Sequence, residues 1–358
     1  MKLFQHLDEL KDSDGVGNDA IGLAQKFHNL GYECHFITRI PRSGKEIPNV
    51  KFHTLENLHV TSSESDVHIL HYGGTGYPYD LFYKLFGKKI LRFHNITPAM
   101  FYEHTTTPEI YAAMAKFESL SYLELASFSI FCDAIWCDSS FNYSVISDLN
   151  FKNPTILPIC KKYQETKSQT KQHSIDEGNI IFIGRYSPQK AWEDLIEFFS
   201  VWVNDFPNAK LYCVGNIIGA FDGYFDFLRR KTIATGVENR VLFLQGKSDD
   251  EVLELLSKVS AFVSMSEHEG FCLPILEAFG MGIPVFAYSA GAIPQTMNGG
   301  GLLFNEKDYY RLKKDIKSIL TNPKLKQSLI KSQSDALNFY NAFPWEIELA
   351  KNLEEIGR

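Results

Sequence analysis

AFVSMSEHEGFCLPILE, residues 261–277, is the stretch from which the fold can be read. AFVSMS is an apolar run of strand length. Pro274 and the apolar residues after it start a helix, because proline in the first helical turn loses no hydrogen bond. Glu267, His268, Glu269 and Gly270 lie between them, and Glu277 sits about one turn into the helix. Strand, short polar loop, helix is the repeating step of a parallel α/β sheet, which binds ligands beyond the carboxyl ends of its strands. The acids therefore bracket a helix start at the ligand end rather than line a solvated face. Carboxylates accept hydrogen bonds from adjacent hydroxyls, so Glu269 and Glu277 suit a sugar diol. The outward N–H groups of Phe271, Cys272 and Leu273, beside Gly270, suit a phosphate. The alternative is local, with Glu277 capping or pairing and Glu269 in solvent.

Working outward, the same step recurs. Strand candidates are 3–7, 34–38, 51–55, 67–72, 89–94, 134–139 and 155–159, then 179–184, 210–215, 240–246, 261–266 and 284–289. Helical patterns at 17–30, 108–126, 190–204, 222–235, 249–258 and 273–281 separate several of them. Strand–helix alternation in two blocks predicts two Rossmann-like, doubly wound parallel-sheet domains facing a cleft. The polar stretch between the blocks places a linker at 163–178. It leaves an N-terminal Rossmann-like domain, 1–162, and a C-terminal one, 179–340. The last helix, 341–358, is expected to pack back towards the first domain.

A chain of 358 residues is long for one core. With 36 basic against 43 acidic residues, the net charge of −7 argues against nucleic-acid binding. The six cysteines form no CxxC pair or zinc spacing, so buried reduced thiols in a cytoplasmic protein are expected. The amino terminus has no signal-peptide pattern, and no run has the roughly 18 apolar residues of a membrane span. LFYKLFGKKILR, 81–92, carries Lys84, Lys88, Lys89 and Arg92 and could meet anionic lipid at the inner membrane face, although a helix followed by a core strand is the commoner reading.

Two more loops carry chemistry. DSDGVGND, 12–19, holds Gly15 and Gly17 before a helix, which admits either a close phosphate or a plain turn. Its DSD has the look of a metal triad, yet helix capping and loop solvation explain it better. IGRYSPQKA, 183–191, puts Arg185 and Lys190 around a turn before a helix. Two cations there suit a diphosphate, and a solvated basic loop fits equally well.

Taken together, these segments resemble the retaining GT-B glycosyltransferases of family GT4. Glu269-x7-Glu277 around EGFxLPxLEA resembles the family signature, and IGRYSPQK its "GR…K" loop. LYCVG, VLFLQGKSDDEV, GIPVFAYSAGAIPQ and GGGLLF follow in the family's order. DGVGNDA and HNITPAMFY resemble the branch that includes transferases of cell-surface polysaccharide assembly. The departures are Gln295, where many relatives have Glu, and Cys272, where a small residue is common.

The resemblance implies a transferase moving a hexose from a UDP- or GDP-sugar to a glycan or lipid-linked acceptor with retention. No metal or other cofactor is needed, and a lipid-linked acceptor would bring peripheral membrane contact. The resemblance also implies acceptor binding for the domain 1–162 and nucleotide-sugar binding for 179–340. It assigns Arg185 and Lys190 to the pyrophosphate, Glu277 to the ribose, and Glu269 and His94 to the reacting sugar. The backbone of 270–273 would meet sugar and phosphate, and the backbone near Lys247 the base. Gly15 and Gly17 would let the first domain close on the phosphates. The competing class is a non-catalytic nucleotide-sugar binder or scaffold subunit.

Overall fold

In the computed structural model, residues 1–11, 14–40, 46–55, 62–164 and 178–357 are described. The first part of the chain runs β1 (Lys2–Leu7), α1 (Gly15–Asn29), β2 (Glu33–Thr38), β3 (Val50–Thr54), β4 (Val67–Tyr72), α2 (Asp80–Lys84), β5 (Lys88–Phe93), α3 (Pro108–Phe131), β6 (Ala134–Cys137), α4 (Ser140–Ile146) and β7 (Pro154–Ile156). The rest runs β8 (Ile180–Ile183), α5 (Trp192–Trp202), β9 (Leu211–Val214), α6 (Asp222–Ala234), β10 (Val241–Leu244), α7 (Asp249–Leu256), β11 (Ala261–Ser264), α8 (Leu273–Gly280), β12 (Val285–Tyr288), α9 (Ile293–Met297), β13 (Leu302–Phe304), α10 (Tyr309–Thr321), α11 (Pro323–Asn341) and α12 (Trp345–Gly357).

These elements form two units, one of Met1–Pro98, Ala115–Lys162 and Ala342–Arg358, the other of Ala99–Met114 and Tyr163–Asn341. The sheet of the first has strand order β3-β2-β1-β4-β5-β6-β7, and that of the second β10-β9-β8-β11-β12-β13. Paired strands are parallel throughout, for example Phe4 beside His35 and His68, and Phe262 beside Val285. Both sheets are doubly wound. The order reverses between β1 and β4 in the first and between β8 and β11 in the second. Loops on the two sides of such a point diverge and leave a crevice.

Local sequence explains the elements. VHILHY is buried at every position of β4, as a parallel strand covered on both faces must be. In α1, Ala20, Leu23, Ala24 and Phe27 recur at helical spacing, are buried, and pack into the core of the first unit with Leu3, Phe36 and Trp136. Full burial of each large side chain contributes about 1.5–3 kcal/mol. Helix α12 joins the same core through Trp345 and Leu349, and Glu346 takes Lys26 Nζ at 3.0 Å. Most of the 163–178 linker lies outside the described residues. All six cysteines are buried and unpaired.

No helix of the described residues is long and apolar enough to cross a membrane. The 81–92 segment contains α2 and β5, and Arg92 is fully buried. The expectation that Arg92 could meet lipid is therefore corrected: both oxygens of Asp19 hold its guanidinium inside the first unit.

Candidate functional site

In the second unit, β8 and β11 flank the reversal, and the loop after each carries the charged residues singled out above. The loop after β8 is tightly pinned. Tyr186 is buried and its hydroxyl donates to Cys213 O at 2.5 Å, while Trp192 Nε1 donates to Arg185 O at 3.0 Å. A short 3-10 turn, Pro188–Lys190, leads into α5 through Ala191 at φ 48°. Anchored by its backbone, Arg185 projects an exposed side chain whose guanidinium has no partner among the described residues.

The loop after β11 is tied to it twice. Glu267 N donates to Gln189 O at 2.9 Å, and Lys190 Nζ lies 2.5 Å from Glu269 Oε1. Both side chains of that ion pair are largely buried, at 14% and 8% exposure, so the charges are screened little by solvent. Glu269 is therefore not a solvent-exposed acid. Gly291, at φ +55°, holds its backbone. A Cβ there would come within 2.7 Å of Glu269 O, and the neighbouring Ala292 N donates to that carbonyl at 2.9 Å. The SAGAIP segment carried this contact, but a glycine's need for close approach cannot be read without its neighbour.

Helix α8 begins at Leu273 after Cys272, which takes a left-handed conformation at φ 72°. Pro274 lies in its first turn, as expected, and no side chain caps the helix. Phe271 and Cys272 are buried, Gly270 and Leu273 half-buried. Burial, with the Glu269 carboxylate beside it, pushes the Cys272 thiol well up, so it stays neutral. Glu277 is half-buried one turn into α8. Lys247 precedes α7 and pairs with Glu251 Oε1 at 2.6 Å, while Glu251 also closes a capping box with Ser248. Nearby, Gly246 N donates to Asn216 Oδ1 at 2.8 Å.

Gly15, Gly17 and His94 belong to the first unit. Asp12 and Ser13 of the DSD lie outside the described residues; Asp14 caps α1, its Oδ1 accepting from Gly17 N at 2.6 Å. A Cβ on Gly17 would sit 1.7 Å from Lys11 O. The room this glycine leaves is thus filled by the chain's own loop. Gly15 opens α1.

His94 follows β5 and sits in a buried polar cluster that sequence reading missed. Arg92 Nε and Nη2 donate to Asp19 at 2.7 and 3.0 Å, and Nη2 lies 2.9 Å from Asp138 Oδ1. His94 Nδ1 is 2.9 Å from Asp138 Oδ2, and its Nε2 is 2.8 Å from His71 Nδ1. Desolvation opposes charge on Asp19 and Arg92. The pairing outweighs it, holding the Asp19 carboxyl low and the guanidinium high. Ligand atoms of Asp19, His71 and His94 come within 4.8 Å of one another, a spacing a metal could use. Arg92 already occupies both Asp19 oxygens, which makes the cluster an ion-pair network instead. The available signal was a charged residue inside the apolar run KILRFH.

Two doubly wound parallel-sheet units give this chain the GT-B fold. Residues 164–335 match the family model Glycosyl transferases group 1. The chain is 26% identical to O-antigen chain mannosyltransferase B of Escherichia coli over 42% of its length and 37% of the relative's. It is 33% identical to N-acetyl-alpha-D-glucosaminyl L-malate synthase of Bacillus anthracis over 36% of its length and 32% of the relative's. The matched parts thus span about a third of these curated relatives. Among solved structures, Anabaena HepE in complex with UDP and glucose superimposes with a TM-score of 0.73 at 15% identity, covering 99% of both chains.

Proposed function

We propose that this chain is a retaining glycosyltransferase that moves a hexose from a UDP- or GDP-sugar to a glycan, lipid-linked or other hydroxyl acceptor without a metal. The observation that carries the reading is the buried Lys190–Glu269 pair beside the exposed Arg185 and the uncapped start of α8. One place thus offers two cations, helix N–H groups and a carboxylate, the groups that a diphosphate and a sugar require. The name of the mannosyltransferase relative supports transfer of a sugar, and HepE solved with UDP and glucose supports a nucleotide-sugar donor.

The chemistry follows from those groups. Glycosyl transfer passes through an oxocarbenium-like state while negative charge grows on the leaving diphosphate. Arg185 and Lys190 offset that charge, and preorganised charges of this kind commonly supply the largest catalytic term. Glu269, oriented by Lys190, accepts from donor-sugar hydroxyls, and Glu277 from the ribose. In a same-face reaction the leaving phosphate takes the acceptor's proton, so no side chain need attack the anomeric carbon.

Binding tests this directly. UDP or GDP is expected to raise the melting temperature of the full chain in EDTA, and Arg185→Ala to remove most of that rise. An unchanged melting temperature with both nucleotides, at millimolar concentration, would contradict the donor assignment.

A further inference from the structure

Among the described residues of the first unit, besides the His35–His53 pair, two histidine pairs are bonded on both sides to further partners, and only the first of these two chains closes without an extra proton. In the first, His68 Nε2 lies 2.8 Å from Phe86 O, an obligate acceptor, so that nitrogen carries hydrogen. Burial lowers His68 to about 4 and holds His6 well down, so both rings are neutral. His68 Nδ1 is then bare and accepts from His6 Nε2 at 3.2 Å, and His6 Nδ1 accepts from the Tyr77 hydroxyl at 3.0 Å. Every direction agrees.

The second chain runs from Gln5 on β1 through His71 on β4 to His94 after β5. Gln5 Nε2 donates to Ala20 O at 2.8 Å, which turns its Oε1 towards His71 Nε2 at 2.7 Å. That nitrogen must therefore carry hydrogen. Burial holds His71 well down, so the ring is neutral and its Nδ1 is bare. The partner of that bare nitrogen, His94 Nε2 at 2.8 Å, must donate. On its other side His94 Nδ1 faces Asp138 Oδ2 at 2.9 Å. One proton more than a neutral imidazole and a carboxylate supply is needed.

We infer that His94 carries hydrogen on both ring nitrogens, held as an imidazolium between Asp138 and the Gln5–His71 relay, and acts as a fixed cation rather than a base. Charge balance leads to the same place independently. Two carboxylates, Asp19 and Asp138, are buried with a single guanidinium, Arg92. The remaining titratable neighbours, the Cys137 and Cys160 thiols, are kept neutral by burial, Cys137 at about 12 and Cys160 well above its usual value. A cationic His94 brings the cluster to neutrality. Arg92 Nη2 beside Asp138 Oδ1 favours the ionised carboxylate, so the proton belongs to the imidazole, and Asp19 Oδ2, 4.0 Å from His94 Nε2, adds to the attraction. Gln5 and His71 are positioning residues, since they act through hydrogen bonds that end on His94.

Nitrogen NMR of the full chain labelled with ¹⁵N-histidine at pH 7.5 tests this independently of any turnover. The His94 signals are identified by their loss in His94→Gln. Both are expected to have protonated-type shifts, with His71 protonated at Nε2 alone. In Gln5→Met, His71 is free to change tautomer, and one His94 nitrogen is expected to become bare. Should Gln5→Met not fold, Asp138→Asn serves, with the same expected loss. A bare Nε2 on His94 in the unaltered protein would overturn the inference, as would an unchanged His94 in the folded variant.

Discussion

At the scale of single residues, two buried ion pairs organise the units. Removing one partner of such a pair costs about 3–5 kcal/mol, because the other charge stays buried and uncompensated. Arg92→Leu is expected to lower stability by that order, measured as a fall in the urea midpoint; a change below about 1 kcal/mol would contradict the pairing. The pH dependence has a definite sign. Asp19 is held below the ordinary carboxylate range, so its contribution is present above the unfolded value of about 3.9 and lost as pH falls through the folded value. In the second unit, Lys190→Ala is expected to cut nucleotide-dependent turnover about 10²–10³-fold, the range seen when one preorganised charge-stabilising group is removed. The Glu269, Lys190 and Arg185 positions were legible because each lies in a loop between a strand and a helix. Arg92 was not, because its partner Asp19 is 73 residues away and nothing local marks the pairing.

At the scale of elements, the strands were read to within a few residues, since apolar runs bounded by turns are a local signal. Strand β13 has only three residues, and α9 only five. Neither was read as an element. Gln5 and His6 are polar residues on the core strand β1, buried because partners on α1 and β4 satisfy them. Those buried histidines make the first sheet acid-sensitive. His68 sits at about 4 in the folded chain and near 6.5 unfolded, so between those values the unfolded chain binds the proton. Stability is therefore lost as pH falls below 6.5. From His68 alone the loss by pH 5 is about 2 kcal/mol. Urea unfolding at pH 7.5 and pH 5 checks this, and equal midpoints would contradict it. The turn before α9 makes a separate demand. Gly291→Ala would put a Cβ against the Glu269 backbone and a non-glycine residue in left-handed space, which costs roughly 1–2 kcal/mol before the clash is counted. A lower melting temperature with weaker nucleotide binding is expected; an unchanged protein would remove Gly291 from the site.

At the scale of the whole molecule, the two sheets were legible because alternation of strand and helix needs no long-range information. The way each sheet reverses at β1/β4 and β8/β11 was not, since strand order is set by tertiary pairing. That reversal in the second unit is what brings Arg185, Lys190 and Glu269 to one place. The central claim is that this place turns over a nucleotide sugar. The most direct measurement is release of UDP or GDP from a panel of UDP- and GDP-sugars by the full chain in EDTA, with Glu269→Ala alongside. Release from one donor, strongly reduced in the variant, is the expected result. Nucleotide binding without release from any donor would contradict it and leave a non-catalytic binder.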